Sequence, residues 1–284
     1  MTSDQADGTL FESPTVDDET SGGHTQTGVR PCVAVCGQRT GDIVSVARMR
    51  YIFLALTNPA DGREDEFNAW YDEHHIPEVV RYGRGFLGGR RYRLCEVPGV
   101  GDPAPWRYLA YYDMESDDLA AYHRAPWTET KPPLTPFTGL LNEDHAAWIY
   151  RPLGGWINRR DPDTDDLAES SRFSHLYFAL TNAAPGRDVA FSEWHENHVR
   201  EVVTRMPGLV GRRYARAEHQ RPNQPQPAWT YLTTYALERD GIRGLDVALA
   251  DAPGTEQLTA PPPGAMTDRA AWVYAAISDY CPRR

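Results

Sequence analysis

The sequence repeats itself once, at a spacing of about 124 residues, and this repeat constrains the fold more than any other feature. Matching blocks recur in the same order along the chain, which indicates a duplicated unit. A period of this length is typical of two copies of one domain, because the repeats of a solenoid are far shorter. The matched blocks begin at Tyr51 and Leu176, Phe67 and Phe191, Glu78 and Glu201, Gly85 and Gly208, Trp106 and Trp229, and Ala146 and Ala270.

Each copy shows the pattern of a ferredoxin-like β-α-β-β-α-β unit. An apolar strand that ends in Thr-Asn precedes a helix rich in Trp, His and Glu, and strands follow at Arg-Arg-Tyr and at Tyr-Leu. A second helix, predicted over 117–124 in one copy and 242–250 in the other, leads to a last strand at Trp-Ile-Tyr or Trp-Val-Tyr. We therefore divide the chain into a largely disordered N-terminal extension (1–45), repeat 1 (46–157), a polar linker (158–171) and repeat 2 (172–284).

The first strand of each copy is apolar on both faces. Residues 51–56 and 176–180 carry an apolar side chain at every position, whereas a strand with one solvated face alternates apolar and polar residues. Helices can cover only one face of each sheet, so the other face needs a second cover. The sequence therefore predicts an α+β protein in which the two repeats pack sheet to sheet. Their strands would form an eight-stranded α/β barrel within one chain.

Charge and composition exclude several classes of partner. The net charge is −11, and Lys131 is the only lysine, so the chain lacks the basic surface that binds nucleic acid. No apolar run approaches the ~20 residues that span a bilayer, and the N-terminus lacks a signal-peptide pattern. We expect a cytoplasmic protein with no membrane partner. Cys32 and Cys36 have no second Cys/His pair at metal-binding spacing, so no metal site is predicted.

The helix of the first copy carries the residues with the most chemistry. Phe67, Trp70, Tyr71 and His74 have the i, i+3, i+4, i+7 spacing that places them on one helical face. The same spacing in the second copy predicts a matching face, which consists of Phe191, Trp194, His195 and His198.

The first copy has one residue more than the second between the tryptophan and Glu-Val-Val. Such an insertion predicts a π-bulge, a feature frequent at functional sites. Pro77 should also disturb the helix just after His75, because it removes a backbone donor and clashes one turn back. Counting back from Glu-Val-Val makes His75 the counterpart of His198, whereas counting forward from the tryptophan selects His74.

The first copy contains the run Phe67-Asn-Ala-Trp-Tyr-Asp-Glu-His-His-Ile-Pro-Glu78, and Arg90-Arg91-Tyr92 follows it. These motifs resemble the dimeric α/β-barrel superfamily, and most closely its EthD-like branch, whose helix carries Trp-Tyr-x-x-x-His-x-Pro-Glu. The resemblance covers about residues 48–152 in full and 173–278 with departures, since Arg200 replaces the proline and the tyrosine is lost. Relatives are usually single-domain homodimers, so it implies a monomer, or a homodimer, of tandem copies.

The resemblance implies a cofactor-independent acid/base enzyme of the cyclase, isomerase, dehydratase or decarboxylase type. Its substrate would be a small aromatic or polyketide-like metabolite of bacterial specialised metabolism. A cofactor-free or haem-dependent monooxygenase is the alternative, with His75, His198 or His175 as the haem ligand. A non-catalytic protein that binds a small hydrophobic molecule is the second alternative. The predicted catalytic residues are His75, Tyr71, Asp72 and His198, and the predicted binding residues are Trp70, His74, Arg91, Tyr92, Tyr108, Trp194 and His195.

A structural role competes with each functional one. The histidines could only seat the helix, the recurring Trp and Tyr residues could be core, and the arginine pairs could bind acidic side chains. The sequence has no dinucleotide fingerprint, P-loop, His-Glu-x-x-His or Gly-x-Ser-x-Gly motif, which disfavours hydride transfer, phosphoryl transfer and serine hydrolysis. We expect the chemistry in the first copy, because only that copy keeps Tyr71 beside its histidine.

Overall fold

A computed structural model describes residues 48–96, 103–124, 134–158, 173–206, 208–222, 224–238 and 258–284. The predicted N-terminal extension, nearly all of the predicted linker and the predicted helix at 242–250 lie outside these ranges. We refer to residues 48–158 as half 1 and to residues 173–284 as half 2.

Half 1 follows the predicted order of strands and helices, and half 2 follows it for the elements that lie within the described ranges. Half 1 contains β1 (Met49–Thr57), α1 (Glu64–Trp70), a π-helical turn (Tyr71–His75), α2 (Ile76–Tyr82), β2 (Phe86–Leu94), β3 (Tyr108–Ser116), α3 (Leu119–Arg124) and β4 (Ala146–Pro152). Half 2 contains β5 (Phe173–Ala183), α4 (Asp188–Arg205), β6 (Leu209–Arg216), β7 (Tyr231–Glu238), β8 (Met266–Ala276) and the short β9 (Cys281–Pro282).

Eight antiparallel strands close into one ring. The strand order is β4-β1-β3-β2 in half 1 and β8-β5-β7-β6 in half 2, which is the same order in both. The edges join where β4 pairs with β6, at Tyr150 and Arg216, and where β2 pairs with β8, at Tyr92 and Ala276. The α+β class and the antiparallel arrangement of the strands are therefore confirmed.

The ring and its outer helices explain why the first strands are apolar on both faces. Along β1, Leu54 and Leu56 point into the ring, whereas Phe53 and Ala55 pack outward beneath the helices. The apolar outer face of half 1 is covered by α1, the π-turn and α2, and that of half 2 by α4. No helix in the described ranges is both long and apolar enough to cross a membrane.

Aromatic side chains fill the interior of the ring. Four indoles, two from each half, meet with ring centroids between 5.1 and 6.5 Å apart: Trp106, Trp148, Trp229 and Trp272. Further along the interior, the hydroxyls of Tyr111 and Tyr214 lie 3.1 Å apart and join the two halves by a hydrogen bond. Trp148, Trp272, Tyr111 and Tyr214 are buried core residues on strands, and Trp106 and Trp229 pack against them from positions outside the strands.

Candidate functional site

Many residues of the repeated motif hold the frame of each half. The Trp70 indole donates to the carbonyl oxygen of Thr135 (3.0 Å), and the Glu78 carboxylate accepts from the backbone N–H of the same threonine (2.7 Å). These bonds fix the chain that enters the last strand. Half 2 repeats them at 2.8 and 2.9 Å with Trp194, Thr259 and Glu201. Their recurrence therefore has a structural cause.

Arg91 occupies the junction between helix and sheet in half 1. Its guanidinium donates to Asp72 Oδ1 (3.0 Å) and Asn68 Oδ1 (2.6 Å), and it lies 4.6 Å from the centre of the Tyr71 ring. Only 1% of the Arg91 side chain is exposed. Because Arg213 in half 2 pairs with Glu196 in the same way (2.7 Å), the acidic partner that the sequence suggested for these arginines is present.

A π-turn at Tyr71–His75 confirms the bulge that the extra residue predicts. The backbone N–H of Ile76 donates to the carbonyl of Tyr71, and the chain then continues as α2 through Pro77 without a break. The insertion turns the following residues around the helix axis, so His75 is buried and His74 is exposed. The prediction that His74 shares the face of Tyr71 is therefore wrong, and its role in binding substrate stays a prediction.

His75 lies in an aromatic enclosure. Its ring stacks on Trp70, with centroids 4.4 Å apart and an interplanar angle of 26°, and the edge of Tyr71 meets it at 4.9 Å. Burial lowers the pKa of His75 to about 3, and the nearby Arg91 cation contributes to the fall. Burial raises the pKa of Tyr71 to about 12. A neutral imidazole and a neutral phenol thus lie beside a permanent cation.

Tyr112 on β3 adds a third group that the sequence reasoning missed. Its ring lies over Gly89, where a Cβ atom would come within 2.5 Å of it. Burial raises the pKa of Tyr112 well above its ordinary value, and Tyr71 adds to the rise. Within the described ranges, the Tyr112 hydroxyl makes no hydrogen bond, whereas the Tyr71 hydroxyl interacts with that of Thr57. Because buried polar groups in proteins are normally paired, the Tyr112 hydroxyl points to a polar ligand atom or to water.

A groove of about 790 Å³ lies next to this cluster. One wall is the π-turn and α2, and the other is the segment 278–284 of half 2, which follows β8. The groove and the buried cluster share wall residues: Asp72 is the partner of Arg91, and Ile76 and Cys281 pack in the apolar cluster around Tyr71. The groove therefore shares part of its wall with the packing around Tyr71. The sequence contained no local signal for it, since its walls are about 200 residues apart.

Half 2 has a related but different arrangement. His198 stacks on Trp194 at 4.8 Å, as His75 does on Trp70, so the two histidines are counterparts in position. His195 takes the place of Tyr71 and hydrogen-bonds the hydroxyl of Thr233. Burial lowers the pKa of both histidines, to about 3 for His195. The α4 helix is regular and has no π-turn.

Two predicted binding residues, Tyr92 and Tyr108, lie on opposite faces of the sheet. Tyr92 points into the ring, on the opposite side of the sheet from the helices, because its neighbour Arg91 takes the outward position. Its side chain therefore lies away from the helices, and its role in binding substrate stays a prediction. The Tyr108 hydroxyl donates to Glu64 at the start of α1, so it is already engaged in holding that helix.

The His75 ring contacts Trp70 and Tyr71 through its face and edge, whereas a haem iron binds a ring nitrogen in the plane of the imidazole. The role of His75 as a haem ligand therefore remains a prediction. The walls of the groove contain no histidine. His198 and His175 are half-buried, and their roles as haem ligands remain predictions. Among the described residues, no group of three or more His, Cys, Asp or Glu side chains could hold a metal ion, and Cys32 and Cys36 lie outside the described ranges.

The buried histidines should make the fold sensitive to acid. An unfolded histidine takes up a proton below pH ~6.5, which His75 in the folded state resists down to about pH 3. The free energy of unfolding should therefore fall as the pH drops through this window, by up to ~1.4 kcal/mol per pH unit for each such histidine. Above pH ~6.5 both states are neutral and the effect vanishes. Urea titrations between pH 4.5 and 7.5 measure the slope.

The His75→Gln variant lacks this titrating imidazole. Its free energy of unfolding should therefore depend less steeply on pH than that of the unaltered protein. His74→Gln is the matched control, because His74 is exposed on the same turn. Equal slopes for the unaltered protein and His75→Gln would show that His75 takes up its proton in the folded state.

Comparison with known proteins bears on the fold. No family model and no curated protein matches the sequence, so membership of the EthD-like branch remains a prediction. A solved anthrone oxidase-like protein aligns with a TM-score of 0.52 at 9% identity, over 84% of this chain and 95% of that one. A haem-binding protein from Thermus thermophilus aligns with a TM-score of 0.42 at 10% identity, over 82% of this chain and 92% of that one.

A chlorite dismutase from Candidatus Nitrospira defluvii aligns with a TM-score of 0.36 at 8% identity, over 80% of this chain and 92% of that one. The two scores below 0.5 support no conclusion about this chain. The likeness to the anthrone oxidase-like protein, at 9% identity, shows a shared fold and nothing beyond it.

Proposed function

We propose that the chain is a cofactor-independent acid/base enzyme that removes a proton from a small aromatic or polyketide-like molecule, and that half 1 carries the reaction. Cyclases, isomerases, dehydratases and decarboxylases can all begin with this step. The observation that carries the proposal is the buried group formed by His75, Tyr71 and Tyr112 beside the Arg91 cation.

His75 is the base in this scheme. At neutral pH its imidazole is unprotonated, so a ring nitrogen can accept a proton from a C–H or O–H of the substrate. The electron pair of the broken bond stays on the substrate and delocalises onto its oxygen. Because an anion beside the ring favours the imidazolium, the developing charge raises the pKa of His75 during the transfer. The His75 imidazole is thus unprotonated before substrate binds, and it can accept a proton once substrate takes the place of water.

The oxygen of the substrate is the end that Tyr71 and Tyr112 recognise. Both hydroxyls are neutral donors and are buried; that of Tyr112 makes no hydrogen bond within the described ranges, and that of Tyr71 interacts with the Thr57 hydroxyl. A phenolate or enolate oxygen would accept from them, and the Arg91 guanidinium would stabilise its charge across the Tyr71 ring. Trp70 supports the imidazole by stacking, so its role is to position the base.

An oxygenase that uses no cofactor is the second candidate. It would begin with the same proton removal, after which the enolate would react with O2. The likeness in fold to an anthrone oxidase-like protein supports this candidate.

Deuterium exchange without O2 tests the proposal. The protein is incubated in D2O with a panel of resorcinol-type phenols and 1,3-diketones, and mass spectrometry follows the deuterium gained at carbon. We expect catalysed exchange with at least one compound and no O2 consumption when air is admitted. Exchange together with O2 consumption would favour the second candidate. Binding without exchange or O2 consumption would contradict both and indicate a binding protein.

A further inference from the structure

We propose that the groove between α2 and the segment 278–284 binds an aromatic acid, with its ring on the apolar floor and its carboxylate at the arginines of the rim. This inference rests on the proposed function, because it names the class of substrate that the reaction would take. It goes further in assigning the recognition to a segment of half 2.

The groove has the size and lining of a small-molecule site. Its volume of about 790 Å³ falls in the ~300–1,000 Å³ range of ligand pockets. The floor is apolar and comes from both halves, with Ile76, Pro77 and Val80 on one side and Cys281 on the other. A flat ring fits such a floor better than a flexible polar molecule, since it buries apolar area at little entropic cost.

The charge of the rim favours an anion. Three guanidinium groups line the groove, from Arg81, Arg283 and Arg284, against the carboxylates of Asp72 and Asp279. Asp72 is already paired with the buried Arg91 at 3.0 Å, so the rim has an excess of positive charge.

Arg283 is held in place by the chain around it. Its guanidinium donates to the carbonyl oxygens of Gly83 and Phe86, at 3.3 Å each, and its backbone N–H donates to Leu87. A guanidinium fixed in this way loses little freedom when it binds a carboxylate.

Half 1 departs from half 2 by two single-residue insertions, and both lie beside this groove. The first is the π-turn, which places Asp72 and Ile76 in its wall. The second is in β2, whose pairing with β3 shifts between Phe86 and Gly88, whereas β6 pairs with β7 in unbroken register. Insertions of both kinds re-aim side chains and are frequent next to functional sites.

The insertion in β2 makes room for the opposite wall. A Cβ atom at Gly88 would lie 2.1 Å from the Tyr280 hydroxyl, so only glycine admits that ring. Tyr280 in turn donates to Asp113 at 2.9 Å, and β9 pairs with Gly88 and Gly89. The apolar cluster that contains Tyr71 and Tyr112 also contains Ile76 and packs against Cys281, and both of these residues line the groove.

Binding of 1-naphthoate, compared with its neutral counterpart 1-naphthamide, tests the inference by isothermal titration calorimetry. We expect the unaltered protein to bind the acid about tenfold more tightly than the amide. Arg283→Gln and Arg81→Gln should each remove most of this preference. Arg269→Gln should keep it, because it removes the same charge at an exposed position of β8 away from the groove. Melting curves check that each variant folds.

Equal binding of acid and amide by the unaltered protein would overturn the inference, as would an equal loss in Arg269→Gln and in both groove variants. These outcomes are independent of turnover. Catalysed exchange without a preference for the acid would defeat this inference alone. A preference for the acid that depends on Arg81 and Arg283, without any exchange, would support the binding site and defeat the proposed function.

Discussion

Replacing His75 by alanine should slow the exchange reaction by a factor of about 10²–10⁴, which is the usual contribution of a positioned acid–base group. The imidazole is the only base buried beside both Tyr71 and Arg91 among the described residues of half 1. Initial rates of deuterium incorporation measure the loss. Because the substitution also leaves a cavity against Trp70, His75→Gln serves as a second variant that keeps more of the side-chain volume.

His198→Ala is the matched control for this prediction, since it removes the counterpart ring from its stack on Trp194. We expect a much smaller effect on the rate, because half 2 has His195 in place of Tyr71 and a regular helix in place of the π-turn. A large loss in His198→Ala with a normal rate in His75→Ala would place the chemistry in half 2 instead. Normal rates in both variants would make the histidines structural.

Replacing Trp148 by alanine should cost about 3–5 kcal/mol of unfolding free energy, the range for truncating a large aromatic residue in a core. Trp148 contacts Trp106 of its own half and Trp229 and Trp272 of half 2, and its indole donates to the carbonyl of Pro225 at 3.0 Å. The variant removes contacts from both halves at once. Chemical denaturation followed by fluorescence and by circular dichroism measures the cost.

Because the ring interior is shared, the two halves should unfold together in one transition, before and after this substitution. Trp194→Ala is the control, since that tryptophan is half-buried on α4 and lies outside the ring. It should cost less. Two separate transitions, with only one of them shifted by Trp148→Ala, would contradict a closed ring formed by both halves.

The arrangement of strands could be predicted from the sequence because it depends on local patterns that the repeat displays twice. Apolar runs on both faces of 51–56 and 176–180 require a cover on each side of the sheet, and the ring with its outer helices provides it. The π-turn could also be predicted, since a single extra residue between two matched blocks has to be accommodated within a helix that keeps its ends.

The orientation of individual side chains was harder to predict. A one-residue insertion rotates the following residues by about 100° around a helix, so the face that includes His74 in a regular helix includes His75 here. Arg91 and Tyr92 are both predicted binding residues, although the strand period of two assigns their side chains to opposite sides of the sheet. Sequence spacing alone does not show which member of such a pair faces outward.

The groove and Tyr112 could not be found from local patterns. The groove forms only when 278–284 pairs along β2, nearly 200 residues earlier in the chain. Tyr112 recurs as Tyr235 and resembles any other core aromatic in the sequence. Its buried hydroxyl becomes informative only when its surroundings are known.

The most direct test of the account exchanges the helical segments that distinguish the halves. The segment from Trp70 to Glu78 is replaced by the one from Trp194 to Glu201, which is one residue shorter. The exchanged chain keeps the tryptophan, the stacked histidine and the glutamate that hold the frame, and it loses the π-turn and Tyr71. The rate at which this chain catalyses deuterium exchange is compared with that of the unaltered protein. We expect a melting temperature within a few degrees of the original and an exchange rate as low as that of His75→Ala. Exchange at the original rate in the folded chain would contradict the claim that the π-turn of half 1 builds the site.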